Sequence, residues 1–270
     1  MRVIELQCGS ARPLGCRLLP VMPPSMVCRC LLVVADDGLL LVDTGFGLRD
    51  VRQPWRRLGL ARVGLGLRLH EEETAIARIR ALGFDPGEVR DIVLTHLDLD
   101  HAGGLSDFPD ARVHVSSAEA EAAVRRATLG ERVRYRPSQL EDRSRWIHYP
   151  AASETWKGLP SATIDSVVSV AARFVELPGH TRGHRGVAIR SGGRWLLHAG
   201  DVYYGVRELD VARPSLALRG FRRLIHVDPS AAASSLEAVR ALRARAGGEV
   251  GVFGSHDPTE PIPDLSSSSR

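Results

Sequence analysis

Thr95-His96-Leu97-Asp98-Leu99-Asp100-His101-Ala102-Gly103-Gly104 follows directly on the apolar run Ile92-Val93-Leu94. Two histidines and two carboxylates thus fall within six residues, at the end of an expected strand. Carboxylates this close repel one another unless a positive charge sits between them, and neutral imidazole is the commonest metal ligand among side chains. A strand that ends in such a cluster delivers several ligand types to the mouth of a sheet, where a rigid element holds them in place.

Three further stretches repeat the pattern of apolar strand, tight turn and ligand-type residue. Phe174-Val175-Glu176-Leu177 runs into Pro178-Gly179-His180-Thr181-Arg182-Gly183-His184. Trp195-Leu196-Leu197-His198-Ala199 ends in Gly200-Asp201, and Val250-Gly251-Val252-Phe253 ends in Gly254-Ser255-His256-Asp257. Leu39-Leu40-Leu41-Val42-Asp43-Thr44-Gly45 has the same form, with an Asp that ties down its own turn or hydrogen-bonds a ligand histidine.

Together these ordered motifs resemble the metallo-β-lactamase-fold hydrolases, over about Leu39 to Asp257. The resemblance implies a four-layer αββα sandwich, an α/β layered architecture with the metals at the sheet edges. It implies His96, Asp98 and His180 around one divalent metal, and Asp100, His101 and His256 around a second, with Asp201 bridging them and a hydroxide between. Asp100 would also orient the nucleophile. The chain departs from the commoner His-x-His-x-Asp-His form at one place, where Asp98 stands for the middle histidine. Carboxylate oxygen binds zinc, so the site survives the change. Two divalent cations carry +4, which Asp98, Asp100, Asp201 and a hydroxide neutralise in full, whereas the histidine form leaves one positive charge. A more neutral cluster acidifies its water less, and harder ligation admits iron or manganese beside zinc.

Tyr204 follows Asp201 by three residues, in Asp201-Val202-Tyr203-Tyr204. In the N-acyl homoserine lactonase branch of the family, a tyrosine at that offset hydrogen-bonds the substrate carbonyl; Tyr203 would serve the other register. The resemblance therefore implies a dinuclear hydrolase with Asp100 and Tyr204 as catalytic residues, acting on a lactone or ester by metal-bound hydroxide. Thioesters, β-lactams and phosphodiesters are alternative substrates. An iron-dependent oxidoreductase on the same fold is the rival class, because the flavodiiron enzymes also carry a carboxylate at the middle position. Residues 124–166, which include Tyr135, Trp146, Tyr149 and Trp156, are read as a cap that lines the substrate cleft with aromatics. The bland alternative is that these rings anchor a poorly packed insertion.

The 270 residues are 44% hydrophobic and 25% charged, ordinary for a water-soluble globular protein. The net charge of +4 comes from dispersed arginines with Lys157 as the only lysine, which argues against a nucleic-acid partner. No apolar run long enough for a membrane span and no signal-peptide core is visible. A small-molecule substrate, a cytoplasmic location and no membrane partner are the expectations, and a homodimer is left open. Cys28 and Cys30 alternate to one face of a strand as small hydrophobes, while Cys8 and Cys16 lack the paired spacing of a zinc knuckle.

One domain is expected over residues 1–260, followed by a disordered Pro/Ser tail at 261–270. Asp36-Asp37-Gly38 closes a hairpin, and Thr74 to Leu82 forms a helix with Ile76, Ile79 and Leu82 on one stripe. Ser116-x-x-Glu119 opens a helix as a capping box, and Asp228-Pro229 begins another. His184 and His198 are read as structural, and His226 as a surface or satisfied histidine.

Overall fold

A computed structural model describes residues 1–13, 19, 21–211 and 213–262. Cys16 and residues 263–270 of the expected tail lie outside the described residues. Seven strands, β1 (Arg2–Ala11), β2 (Met26–Ala35), β3 (Gly38–Val42), β4 (Leu67–Arg68), β5 (Val89–Val93), β6 (Arg112–Ser116) and β7 (Trp146–Tyr149), form one sheet. Six more, β8 (Glu154–Trp156), β9 (Leu159–Thr163), β10 (Ala172–Glu176), β11 (Arg185–Ser191), β12 (Arg194–His198) and β13 (Val250–Phe253), form the other. Their orders are β4-β1-β2-β3-β5-β6-β7 and β13-β12-β11-β10-β9-β8. The helices are α1 (Leu48–Arg52), α2 (Pro54–Arg57), α3 (Ala61–Gly64), α4 (Ala75–Ala81), α5 (Ser117–Arg125), α6 (Leu129–Arg134), α7 (Leu216–Ile225) and α8 (Pro229–Arg245).

The central strands read as unbroken apolar runs because both of their faces are covered. Leu31, Val33, Leu40 and Val42 face the second sheet and meet Phe174, Val187, Ile189, Leu196 and Phe253. Their neighbours Leu32, Leu39 and Leu41 point the other way, onto Ile76 and Ile79 of α4. On the far side of the second sheet, Val175, Leu177, Ala188 and Leu197 receive Leu236, Val239 and Leu242 of α8. Period-two alternation in the strands thus builds helix, sheet, sheet and helix in four layers. Each fully buried Leu in these layers contributes about 1.5–3 kcal/mol of transfer free energy.

Pairing directions bring the chemistry to one edge. β3 and β5 run parallel, as do β12 and β13, while β10 and β12 flank the antiparallel β11 and so share a direction. The turns after β3, β5, β10, β12 and β13 carry Asp43, His96, His180, Asp201 and His256. The two sheets are joined at this edge, since Val27 donates its N–H to the His256 carbonyl and Arg29 donates to that of Ser255.

The hairpin forms at Asp36-Asp37, with Ala35 opposite Gly38. Thr74 caps α4 by accepting from Ala77, and Asp228 caps α8 by accepting from Ser230 and Ala231. Leu82, in contrast, ends the expected stripe at 43% exposure, because α4 stops at Ala81 and the chain turns at Gly83. Residues 124–166 do not put their aromatics over the site. Tyr135 and Trp146 pack into the core beneath α5, Tyr149 lies between the sheets, and Trp156 packs edge-on against Trp195. The segment supplies α6, the edge strands β7 and β8, and β9, so its rings anchor structure. No helix among the described residues is long and apolar enough to cross a membrane.

Candidate metal centre

The turn after β5 is held by Asp43, whose backbone sits at a φ of 55°. Its carboxylate accepts the Thr95 N–H and the Thr95 hydroxyl, each at 2.8 Å, and a proton from His101 Nδ1 at 2.9 Å. Fixing Nδ1 in this way turns His101 Nε2 towards the site. The other three histidines follow the same logic. His96 Nδ1 is 3.0 Å from the Thr95 hydroxyl oxygen, and His256 Nδ1 donates to the Val27 carbonyl at 2.8 Å. His180 Nδ1 lies 3.3 Å from His226 Nδ1 and 3.4 Å from the Tyr204 hydroxyl.

Four Nε2 atoms and three carboxylates converge as a result. His96, His180 and Asp201 form one group that could hold a cation, and Asp100, His101 and His256 form a second. Asp98 Oδ2 joins the first, 3.0 Å from His180 Nε2 and 3.5 Å from His96 Nε2. Asp201 faces both: Oδ1 is 3.2 Å from His101 Nε2, and Oδ2 is 3.0 Å from His256 Nε2 and 3.5 Å from His180 Nε2. A tetrahedral ion with bonds of about 2.0–2.1 Å separates its ligand atoms by about 3.3 Å. The buried atoms His96 Nε2, Asp98 Oδ1, His101 Nε2 and Asp201 Oδ1 have no hydrogen-bond partner. Buried polar atoms are costly to leave unpaired, so this set of donors fits divalent cations.

The electrostatics agree. Burial opposes ionisation of Asp201, but His256, His101 and His96 reverse that and hold its carboxyl well below the usual range. Burial likewise opposes charge on His101, and Asp201, Asp43 and Asp100 together raise it well above the ordinary histidine value. His180 moves the other way, to about 4, through burial and the Arg134 charge. Asp100 is the open member, with its side chain 24% exposed.

Tyr204 and Tyr203 part company after Asp201. Tyr203 is buried and donates its hydroxyl to Glu260 at 2.9 Å, away from the ligand cluster. The Tyr204 ring stacks on His256 at 5.2 Å and meets Phe221 of α7 edge-on at 5.6 Å. Burial, and then the Asp201 charge, push its phenol well above the ordinary value, so it keeps its proton and can donate. Leu19, Met22, Met26 and Leu218 form an apolar cluster against Tyr204 and Phe221.

Several residues that sequence reasoning passed over complete the site. Arg134, at the end of α6, donates to Asp98, to His180 Nε2 at 2.8 Å and to the Ile225 carbonyl. Glu119 is no capping residue: it is fully buried, and its carboxylate accepts the N–H of Leu97 and of Gly183, each at 3.0 Å. It thereby ties the His96 turn to the His180 turn. A Cβ on Gly183 would lie 2.2 Å from the Glu119 nitrogen, which is why glycine stands there. His184 and His198 are structural, as expected, with specific tasks. His184 donates to the Leu177 carbonyl and accepts from the Asp201 N–H, while His198 donates to the Arg29 carbonyl and accepts from the Gly200 N–H. His226 is a partner of His180 rather than a surface residue. Motif spacing gives no sign of any of these roles, because every partner is brought in by tertiary packing.

The layer order, with two His/Asp groups gathered at strand ends and each able to hold a cation, is that of a metallo-hydrolase of the metallo-β-lactamase type. Residues 25–246 match the metallo-beta-lactamase superfamily, and the chain belongs to that family. It is 38% identical over 259 residues to a probable metallo-hydrolase of Mycobacterium tuberculosis, covering 96% of this chain and 81% of that protein. It is 31% identical over 160 residues to the N-acyl homoserine lactonase AttM of Azorhizobium caulinodans, covering 59% and 58% of the two chains. Among solved structures, the dizinc quorum-quenching lactonase AidC, in complex with a product, is similar in fold. Its TM-score is 0.59 at 18% identity, over 95% of this chain and 87% of that one.

Proposed function

We propose that this metallo-hydrolase is dinuclear and opens lactones or cleaves simple esters. Carrying this reading is the convergence of partnerless Nε2 and carboxylate atoms beside the protonated phenol of Tyr204. The first ion would be held by His96, Asp98, His180 and Asp201, and the second by Asp100, His101, His256 and Asp201. When bound, divalent ions supply Lewis acidity and a nucleophilic water near neutral pH. Asp100, partly open to solvent, accepts a hydrogen bond from the attacking water and fixes its direction. Tyr204 donates to the carbonyl oxygen as negative charge develops there. An acyl substituent runs past Tyr204 towards the half-buried ring of Phe221, which takes the place of the expected aromatic cap.

Zinc suits the imidazole-rich donor set, and the carboxylate of Asp98 leaves iron and manganese as competitors. Three described cysteines, Cys8, Cys28 and Cys30, are free and buried, which supports a reducing, cytoplasmic setting. The likeness to the lactonase AttM supports the ester class over phosphodiesters. Hydrolysis of a panel of lactones, esters, thioesters, β-lactams and phosphodiesters by zinc-loaded protein tests the reading. Lactone or ester turnover that a chelator abolishes is expected. Turnover confined to phosphodiesters rejects the substrate class.

A further inference from the structure

Asp98 stands where the commoner motif has histidine, and it does not stand alone. One guanidinium nitrogen of Arg134 donates both to Asp98 Oδ2 and to His180 Nε2, the latter at 2.8 Å. Those two atoms are themselves only 3.0 Å apart. Both belong to the lone pairs that the first cation position would use. Arg134 is not a surface side chain that has folded over: it is 15% exposed and Asp98 is 14% exposed. Its second terminal nitrogen is anchored on the Ile225 carbonyl at the end of α7. A guanidinium cannot shed its charge, so a cation held here either partners Asp98 or repels a metal ion.

We propose that Asp98 and Arg134 are a matched pair, in which Arg134 is a positioning residue that holds Asp98 and sets cation affinity at the first position. The proposal rests on the dinuclear reading of the site and adds a coupling to it. With Asp98 present, Arg134 offsets the extra carboxylate charge and competes with the ion for Asp98 and His180. With histidine at 98, the same guanidinium would face the ion with no carboxylate between them.

The test is a cycle of wild type, Arg134→Gln, Asp98→His and the double variant, with zinc affinity read by chelator competition. Thermal unfolding of the metal-stripped proteins is measured alongside. Coupling of one charged network sets the expected sizes, about tenfold for each single change. Arg134→Gln tightens the weaker zinc equivalent about tenfold and lowers the midpoint of the metal-free protein. Asp98→His weakens that equivalent about tenfold, and adding Arg134→Gln to it tightens binding about a hundredfold, to about tenfold tighter than wild type, where additive effects would only return wild-type affinity. Additive effects in the double variant, or looser zinc binding by Arg134→Gln, overturn the pairing while leaving two-metal binding intact. Wild type that binds no zinc overturns the dinuclear reading and the pairing together. Arg134→Lys separates charge from shape: a lysine that keeps wild-type zinc affinity shows that the charge beside Asp98 sets it, whereas a lysine that behaves as Arg134→Gln shows that the fork reaching both Asp98 and the Ile225 carbonyl is required.

Discussion

Replacing Tyr204 by Phe removes one hydroxyl and keeps the ring that stacks on His256 and meets Phe221. If that hydroxyl donates to the developing oxyanion, turnover falls roughly 10- to 100-fold, about 1.4–2.8 kcal/mol. Metal content stays at the wild-type level, because the hydroxyl's contact is with His180 Nδ1 and not with the inward nitrogen. Steady-state kinetics with elemental analysis checks this, and wild-type turnover on every lactone and ester would remove Tyr204 from the reaction. At this scale the sequence was informative where chemistry is local. His96, Asp98, Asp100 and His101 share one turn, and Tyr204 is read from its offset to Asp201. Arg134 is 36 positions from Asp98 and 46 from His180, and nothing in its neighbourhood marks it among so many arginines. The Ser116-x-x-Glu119 spacing actively misled, since the Glu119 side chain turns inward to bind two distant backbone amides.

The turns after β5 and β10, which carry His96 and His180, are tied together by one side chain on α5. Glu119→Ala leaves the buried N–H groups of Leu97 and Gly183 unpaired, each at a cost of about 1–3 kcal/mol. The expected outcome is a destabilisation of about 2–6 kcal/mol in urea unfolding and weaker zinc binding, because the His96 and His180 turns lose their tie. Glu119→Gln, which keeps one acceptor, should lose less on both counts; equal behaviour of the two variants would show that Glu119 only fills space. Elements with local signals were legible. α4 and α8 have a cap residue and a stripe of buried apolar positions, and the β2–β3 hairpin has its turn residues. The 124–166 segment was not, because a run of Trp and Tyr reports that apolar surface must be covered without saying by what. Here the cover is the core itself. α7 escaped notice for a related reason: Leu216 and Leu224 are exposed, so its sequence lacks a clean buried stripe.

Across the whole molecule, the cores of the two sheets are apolar, and the proposed ligands are carried on turns at one edge. His101→Ala or Asp201→Ala should therefore abolish activity while leaving the far-ultraviolet circular dichroism unchanged. Acid–base behaviour includes one group outside the ligand cluster. Asp107 accepts the Leu48 N–H at 2.8 Å, and burial raises its pKa to about 6, with Asp50 adding to the rise. The folded protein thus keeps a proton that the unfolded chain releases near pH 3.9. Its contribution is full below about pH 4 and is lost as pH rises through about 6, worth about 2 kcal/mol after screening. Asp107→Asn, which retains an acceptor for Leu48, should flatten the pH dependence in this window and raise stability at pH 7. Unfolding midpoints between pH 4 and 7 that are the same in both proteins would contradict it. The four-layer plan was legible because apolar runs of strand length, each ending in ligand residues, leave few architectures that bury both faces. The central claim, a two-ion centre that opens lactones, is tested most directly by adding zinc in measured equivalents to the metal-free protein while following hydrolysis of an acyl lactone. Turnover that climbs to a plateau at two equivalents per chain is the predicted result; a plateau at one equivalent, or two bound ions with no lactone hydrolysis, would contradict the account.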